Sequence, residues 1–393
     1  MSTSVKVFDS GQAGAPVLSG TAGALRAVLK ACLVDGFGAG AAASVTVAAG
    51  VATAIYSAGH SFRVGSVALF AGATGSGING ERRILTTTAD RVTFAAPDAA
   101  AGTAAGSITS RMAPAGWQEL FAGQLANVIA LAPSVAEATG CVLRVDDTGT
   151  VSARVGGYEA MSDISTGVGA FPLPAQASDG IYWPKSMSAN GNAVAWRLFA
   201  DERAFHLWVG PRYSTHGFIG SFGDLQSLRS GDAWSCLLSA GDANVHYSGN
   251  NQHGCMAYGS AANASANTFL ARAHTGLGGS QLVRKVAPYN LGGGYSGTQA
   301  YNSNAWPYPT GADNSLRLSA VEIAQAFGGL RGRVAGLYHT PQTMGEAFGS
   351  GDRIEGQGEF AGRTFVALRA GPTGAALDGA GTAFIDATGP WRP

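Results

Sequence analysis

The segment from Gly59 to Pro97 contains the hexapeptide GSGING, a G-x-G-x-x-G pattern formed by Gly75, Gly77 and Gly80. A dinucleotide-binding loop with this pattern leads into a helix, because the pyrophosphate binds the amides at the helix N-terminus. The residues that follow, ERRILTTTADRVTF, have the β-branched composition and central polar turn of two strands. The glycines are therefore predicted to form a turn between strands, not a nucleotide site.

The triplet Asp147-Thr148-Gly149 is the one that carries the catalytic carboxylate in aspartic proteases. That chemistry requires two carboxylates that share a proton. The nearest second copy, IDATG at Asp386, is interrupted by an alanine. Because Asp146 precedes the triplet, the sequence is also typical of a hairpin turn, and this interpretation is favoured.

A metal site is the chemical interpretation of His246, His253 and Cys255, three donors within ten residues. Structural Zn²⁺ sites normally have four protein ligands, and no paired fourth ligand is visible in the sequence. Polar loop residues are the favoured interpretation. We therefore expect no metal.

Other catalytic patterns are missing from the sequence. It contains no G-x-S-x-G elbow, and no cysteine lies in a recognisable Cys/His motif. The pair Asp201-Glu202 falls in a predicted turn, where solvation explains it. A glycosidase pair would leave no sequence trace, because its spacing is spatial. We expect no catalytic residue, no cofactor and no enzyme activity.

The tryptophans allow three interpretations. They can form a sugar-binding platform, fill the core of a β-sandwich or, where half-exposed, contribute to subunit interfaces. The core is the commonest of the three places. The residues concerned are Trp183, Trp196, Trp208, Trp234 and Trp306.

The composition excludes several classes of partner. Of 393 residues only 13% are charged and the net charge is zero, so no basic field attracts nucleic acid or an anionic membrane. Residues 36–62 carry no charge, but they are mostly small, and SVTVAAGVATAIY is predicted to be a hairpin that turns at Ala49-Gly50. The N-terminus MSTSVKVF lacks the pattern of a signal peptide, which predicts synthesis in a cytoplasm. The scattered Cys32, Cys141, Cys236 and Cys255 are expected to be buried free thiols.

One amphipathic helix is predicted from Thr21 to Val34, with Thr21 as its N-cap and Asp35-Gly36 as its stop. Its apolar residues recur at i, i+3, i+4, i+7 and i+8. They are Leu25, Val28, Leu29, Cys32 and Leu33.

The rest of the chain is predicted to be strand, which indicates a mainly β fold with a β-sandwich or jelly-roll-like body. Alternating hairpins are visible in CVLRVDDTGTVSARV, AWRLFADERAFHLWV, RTFVALRAG and GTAFIDATG. SLRLSAVEIAQAF is ambiguous between strand and helix, and strand is favoured. Residues 42–112 are predicted to be a small all-β module inserted into a main domain made of 1–41 and 113–393, because both flanks have loop composition.

Several segments together resemble a family of virion proteins from tailed bacteriophages of GC-rich hosts. They are GAPVLSGTAGALRAVLKACLVDGFG, APAGWQELF, RLFADERAFHLWV, WPYP and GRTFVAL. Residues 42–112 resemble a small β-domain that recurs in phage tail proteins and is sometimes labelled as similar to a domain of ubiquitin-activating enzymes. That label implies no ubiquitin chemistry.

The resemblance implies a structural virion component in the tail, baseplate or fibre-attachment region. Its partners would be copies of itself in a symmetric homo-oligomer and other virion proteins, with no nucleic acid and no membrane insertion. Two alternatives stay open: a capsid decoration protein, and a receptor-binding or carbohydrate-processing tail protein whose partner is a host surface glycan.

Overall fold

The computed structural model describes residues 2–213, 215–246, 255–256, 268–286, 306–325, 329–344, 347–370 and 381–392. Strands dominate this part of the chain, and α-helix is confined to seven residues. The predicted mainly β class is confirmed. No helix in the described ranges combines the length and the apolar character that crossing a bilayer requires.

The N-terminal segment forms strand β1 (Lys6–Asp9), helix α1 (Ala24–Lys30) and a π-helical turn (Ala31–Asp35). The predicted apolar stripe is confirmed, since all five of its side chains are fully buried. The helix begins later than predicted, and Thr21 is not its N-cap. Gly23 occupies that position in a left-handed conformation, with φ of 80° and no side-chain cap.

A distant carboxylate replaces the local cap. Oδ2 of Asp147 accepts a hydrogen bond of 2.9 Å from the backbone N of Arg26, in the first turn of α1. The Thr21 hydroxyl instead shares a hydrogen bond of 2.8 Å with Ser19. Asp147, 121 residues beyond Arg26, thus accepts the hydrogen bond from the first helical turn that the sequence assigned to the Thr21 hydroxyl.

Residues 40–112 form one eight-stranded sheet whose strands pair only with each other within the described chain. The spatial order is β2-β9-β5-β6-β7-β4-β3-β8. The strands are β2 (Gly40–Ala41), β3 (Ser44–Ala48), β4 (Val51–Ile55), β5 (Val67–Ala71), β6 (Gly80–Thr87), β7 (Arg91–Ala95), β8 (Gly102–Thr103) and β9 (Thr109–Met112).

The hairpin predicted at Ala49-Gly50 is confirmed. Ala48 pairs with Val51, and the two residues between them have φ angles of 48° and 73°. Positive φ at both central positions is the type I′ geometry that matches the twist of the flanking strands.

A five-stranded antiparallel sheet follows, in the order β10-β11-β12-β13-β16. A short ribbon, β14 with β15, is attached after β13. The strands are β10 (Trp117–Leu120), β11 (Val128–Pro133), β12 (Val142–Asp146), β13 (Ser152–Tyr158), β14 (Ala160–Met161), β15 (Gly167–Val168) and β16 (Ile181–Pro184).

The largest sheet unites the N-terminal strand with the C-terminal half of the chain, in the order β1-β17-β18-β19-β21-β22-β23-β25-β26-β30-β29-β28. β20 joins it beside β26, and β24 pairs with β27 outside it. These strands are β17 (Ala195–Ala200), β18 (Ala204–Tyr213), β19 (His216–Asp224), β20 (Gln226–Ser227), β21 (Cys236–Ser239), β22 (Thr268–Leu270), β23 (Gln281–Val286), β24 (Trp306–Pro307), β25 (Ser319–Gln325), β26 (Gly329–His339), β27 (Gln342–Thr343), β28 (Arg353–Glu355), β29 (Thr364–Ala370) and β30 (Gly381–Asp386). A 3₁₀ turn, Gly358–Phe360, precedes β29.

This sheet closes on itself. β19 also pairs with β29 through Gly217 and Ala370, so the path from β19 through β21, β22, β23, β25, β26 and β30 returns to its start. A closed ring has no free edge along the joined strands. β25 also confirms the strand interpretation of SLRLSAVEIAQAF.

Candidate functional site

The glycine pattern lies in the loop between β5 and β6. Gly77 has a φ of 82°, and Gly80 begins β6 with a φ of 95°. The Asn79 side chain closes the loop, because its amide oxygen accepts from the Ala73 N at 3.0 Å and its amide nitrogen donates to the Ala73 O at 2.7 Å. A strand and not a helix follows the glycines. The helix amides that a pyrophosphate requires are therefore missing from this loop.

Asp147, the candidate protease aspartate, is fully buried and paired with Lys185. The Lys185 Nζ contacts Oδ1 of Asp147, and neither side chain is exposed to solvent. The other carboxylate oxygen binds the first turn of α1. Burial raises the pKa of Asp147, while the Lys185 ammonium and the helix amides oppose that rise. The carboxylate joins β12, α1 and β16 and is closed to substrate.

The ammonium group of Lys185 is also bound by two backbone carbonyls. It donates to the carbonyl oxygens of Thr21 and Gly149, both at 2.7 Å. The contact with Asp147 adds an ion pair to these two hydrogen bonds. The sequence did not predict the pairing of Lys185 with Asp147, because a single lysine after a strand has no spacing or motif that identifies a buried partner.

Asp386 is held by partners of its own and forms no dyad with Asp147. Its Oδ2 accepts from Arg363 at 2.6 Å, and its Oδ1 accepts from the backbone N of Thr388 at 2.8 Å. Both carboxylates of the proposed protease pair thus have structural partners. The hairpin interpretation of the triplet agrees with its place between β12 and β13.

The turn at Asp201-Glu202 differs from its prediction. Glu202 is exposed, but Asp201 is buried, and its Oδ1 accepts from the backbone N of Arg203 at 2.8 Å and of Ala204 at 2.7 Å. Arg392 contacts its other oxygen. Asp201 therefore closes a tight turn and anchors the C-terminal segment, so solvation does not explain it.

The proposed metal ligands are only partly described. His253 lies outside the described residues. His246 and Cys255 are both buried, and the Cys255 Sγ accepts a hydrogen bond of 3.2 Å from the backbone N of Ile219. In the described ranges, no group of three His, Cys, Asp or Glu side chains is arranged to hold a metal ion. All four cysteines are buried free thiols, as expected.

Three of the tryptophans proposed as a sugar platform are core residues. Trp183, Trp196 and Trp208 are fully buried, and each indole N–H donates to a backbone carbonyl, at 2.7, 3.1 and 2.8 Å. The half-buried Trp234 has the Arg272 guanidinium 4.5 Å from its ring centroid. The first three rings are inaccessible to a sugar. The side chain of Trp306 lies outside the described part of the chain.

Three exposed leucines lie at or against the segment that joins β22 and β23 and begins β23, where Gly276 adjoins Trp234. We name Leu173, Leu277 and Leu282 the leucine patch; their exposed fractions are 39%, 74% and 50%. The Leu173 side chain packs against the turn at Gly279, 3.5 Å from where a Cβ would lie. Grouped apolar side chains in solvent are typical of protein interfaces. The alternating pattern of apolar residues along strands did not predict this patch, because exposed leucines at and near a turn follow no regular spacing.

The patch stands on a charged support. Arg272, which covers Trp234, forms a two-pronged pair with Glu159 and donates to the Gly276 O at 3.1 Å. Gly276 itself leaves no room for a side chain, because a Cβ there would lie 2.8 Å from Nε1 of Trp234. These contacts tie the turn that carries Leu277 to Trp234 and, through Arg272, to Glu159.

No model of a known protein family matches the chain, and no curated protein is a detectable relative.

Proposed function

We propose that the protein is a non-enzymatic structural component of a tailed bacteriophage particle, in the tail, baseplate or fibre-attachment region, and that it acts through contacts with copies of itself and with other virion proteins. The observation that carries this proposal is the leucine patch, a group of exposed apolar side chains at a turn that packs against Trp234. The sequence resemblance supports the virion setting. A low charged fraction fits a chain that covers much of its surface in an assembly.

The chemistry of the candidate residues also supports a structural role. Asp147, Asp201 and Asp386 each hold two or more parts of the fold together through hydrogen bonds. A catalytic carboxylate must reach its substrate. The oxygens of these three carboxylates are engaged by backbone amides and by cationic side chains of the fold, which favours assembly over catalysis.

The virion role is tested by mass spectrometry of purified particles. Peptides of this chain should recur in every preparation, at a constant ratio to the major tail proteins. A matched control is a non-structural protein made in the same infected cells, which must be missing from the same particles. Consistent absence of the chain from intact virions contradicts the proposal.

The capsid alternative is separated from the tail by position. Gold-labelled antibodies against the chain should mark the tail in electron micrographs. Labels spread over the head would instead support the role of a capsid decoration protein. The carbohydrate alternative predicts release of reducing ends from host surface polysaccharide, and its main sequence argument is weaker because three of the tryptophans are buried.

A further inference from the structure

A cavity of about 270 Å³ lies where the eight-stranded sheet meets β1, β17 and β28. It is open to solvent at Arg63 and Val64, whose exposed fractions are 53% for the Arg63 side chain and 48% for Val64. Its lining comes from four separate parts of the chain: Val7, Asp9, Gln12, Arg63, Val64, Ser66, Arg197, Phe199, Gly351, Arg353 and Val366.

Positive charge exceeds negative charge in this lining, with three guanidinium groups against the single carboxylate of Asp9. Asp9 lies between two of them, 3.2 Å from Arg63 and 2.8 Å from Arg197. Within the described ranges, the Arg353 side chain makes no hydrogen bond and no ion pair. The acids just outside the lining are Asp352 and Glu355, which act on Arg197 and Arg353 at longer range.

The uncharged polar groups of the cavity are already occupied. The Gln12 side chain accepts from the Asp9 N at 2.8 Å and donates to the Ser61 O at 3.2 Å. The Ser66 hydroxyl accepts from the Arg63 N at 3.0 Å. A sugar needs several free hydrogen-bonding partners for its hydroxyls, and the Gln12 and Ser66 side chains of this cavity are already engaged by protein atoms.

The remaining walls are apolar, formed by Val7, Val64, Phe199 and Val366. A ligand that fits both the arginine side and the apolar walls of the cavity therefore has an anionic end and a hydrocarbon body. Because Asp352 and Glu355 offset part of the positive charge, a single negative charge suits the site better than the two of a phosphate. Guanidinium groups bind carboxylates through paired N–H donors.

Two arginines of the cavity lie against the backbone of glycines. The Arg197 guanidinium lies 5.3 Å from the Trp208 ring centroid and packs against Gly351, where a Cβ would approach it to 2.6 Å. Arg353 packs in the same way against Gly65, where a Cβ would lie 2.5 Å from its terminal nitrogen. Arg197, which is both stacked on Trp208 and paired with Asp9, loses little conformational freedom when an anion binds.

We propose that this cavity binds a carboxylate carried on a hydrocarbon body, with Arg353 as the main anion-binding residue and Arg63 and Arg197 beside it. The carboxylate comes either from an acidic segment of a protein partner or from a free organic acid. The proposal does not rest on the virion role, because binding is measured on the isolated chain.

The test is calorimetric titration of the full chain with hexanoate. Acetate has the charge without the body, and 1-hexanol has the body without the charge, so both should bind more weakly than hexanoate. Arg353→Gln should weaken hexanoate binding about tenfold. The matched control is Arg91→Gln, an exposed arginine of β7 away from the cavity, which should leave the affinity unchanged.

A second variant keeps the test decisive. Val64→Glu places a carboxylate at the cavity mouth and should abolish hexanoate binding by occupying the site. Failure of hexanoate to bind at millimolar concentration overturns the proposal, as does an equal affinity in Arg353→Gln and Arg91→Gln. Tighter binding of the capped tripeptide Leu-Glu-Leu than of hexanoate assigns the ligand to a protein segment, and the reverse order assigns it to a free acid; both orders support the site.

Discussion

The Nζ atom of Lys185 contacts Oδ1 of Asp147 in a place where neither side chain reaches solvent. Removing one charge leaves the other buried without its partner, which costs about 3–5 kcal/mol of folding free energy. We expect this loss in the free energy of unfolding for Lys185→Met and for Asp147→Asn, measured by urea titration.

The double variant should lose less than the sum of the two single variants, because no uncompensated charge remains. Arg317→Met breaks the exposed Arg317–Asp313 pair and is the control, with an expected loss within about 1 kcal/mol. Equal losses in the buried and the exposed pair would show that burial of Lys185 contributes nothing.

The glycine loop gives a second prediction. A Cβ on Gly77 would lie 2.5 Å from the backbone N of Ala99, and the φ of 82° disfavours any side chain, so Gly77→Ala should lose about 1–3 kcal/mol. Gly75 has open space and no positive φ, and Gly75→Ala should stay within about 0.5 kcal/mol. Thermal unfolding measures both.

The same loop should not respond to nucleotides. Saturating ATP or NAD is expected to leave the unfolding temperature of the unmodified chain unchanged, since a ligand stabilises only a protein that binds it. A nucleotide-dependent rise that Gly77→Ala removes would restore the phosphate-binding interpretation of GSGING.

The pH dependence of stability should include a contribution from His206. Burial lowers the pKa of His206 to about 4, below the ordinary 6.5. The unfolded chain therefore binds the proton more readily, and about 3 kcal/mol of stability, present above pH 6.5, is lost as the pH falls toward 4. His206→Gln should reduce the slope in this window.

The neutral form of His206 has a defined role in the folded state. Its Nε2 donates to the Ala335 O and its Nδ1 accepts from the Ser221 hydroxyl, both at 2.8 Å. Protonation turns Nδ1 into a second donor and forces the hydroxyl to rearrange. If the slopes of wild type and His206→Gln coincide, this histidine does not set the acid sensitivity.

The module prediction is tested by deletion. Gly40 pairs with Ser110, so the two ends of the eight-stranded segment lie side by side. Joining Gly40 to Ala113 through a short Gly/Ser linker should leave a soluble body that unfolds cooperatively, as followed by circular dichroism and light scattering. Aggregation of this variant would mean that residues 42–112 are an integral part of the main domain.

The leucine patch predicts the oligomeric behaviour. Leu277→Asp should lower the mass measured by light scattering at micromolar concentration, because a charge in an apolar interface must be desolvated. Val51→Asp, at an exposed valine of β4 in the separate eight-stranded sheet, should keep the mass of the unmodified chain. An unchanged mass for both variants would remove the patch from the interface.

Local patterns predicted the local structure well. The alternation of Trp196, Leu198, Phe205 and Leu207 gave the β17–β18 hairpin, because side chains on one face of a strand recur at every second position. The stripe of α1 was equally visible. Such signals involve residues a few positions apart, which sequence periodicity records.

The long-range contacts could not be predicted. The α1 cap comes from Asp147, 121 residues beyond Arg26, and the closing contact of the ring joins Gly217 to Ala370. Neither of these two contacts leaves a periodic pattern in the sequence. Because the distant Asp147 carboxylate caps α1, a local cap at Thr21 is unnecessary. The arginine cavity was hidden for the same reason, since its lining residues are scattered from β1 to β29.

Arg83 of the eight-stranded sheet accounts for one further property of the chain. Its guanidinium donates to the carbonyl oxygens of Ser2 and Val5, and also to those of Ala387 and Thr388, which follow it by 304 and 305 residues. During synthesis the first two acceptors precede Arg83 by 81 and 78 residues, but the last two acceptors are made more than three hundred residues after it. The native set of bonds around this buried cation is therefore completed only after Ala387 and Thr388 have been made.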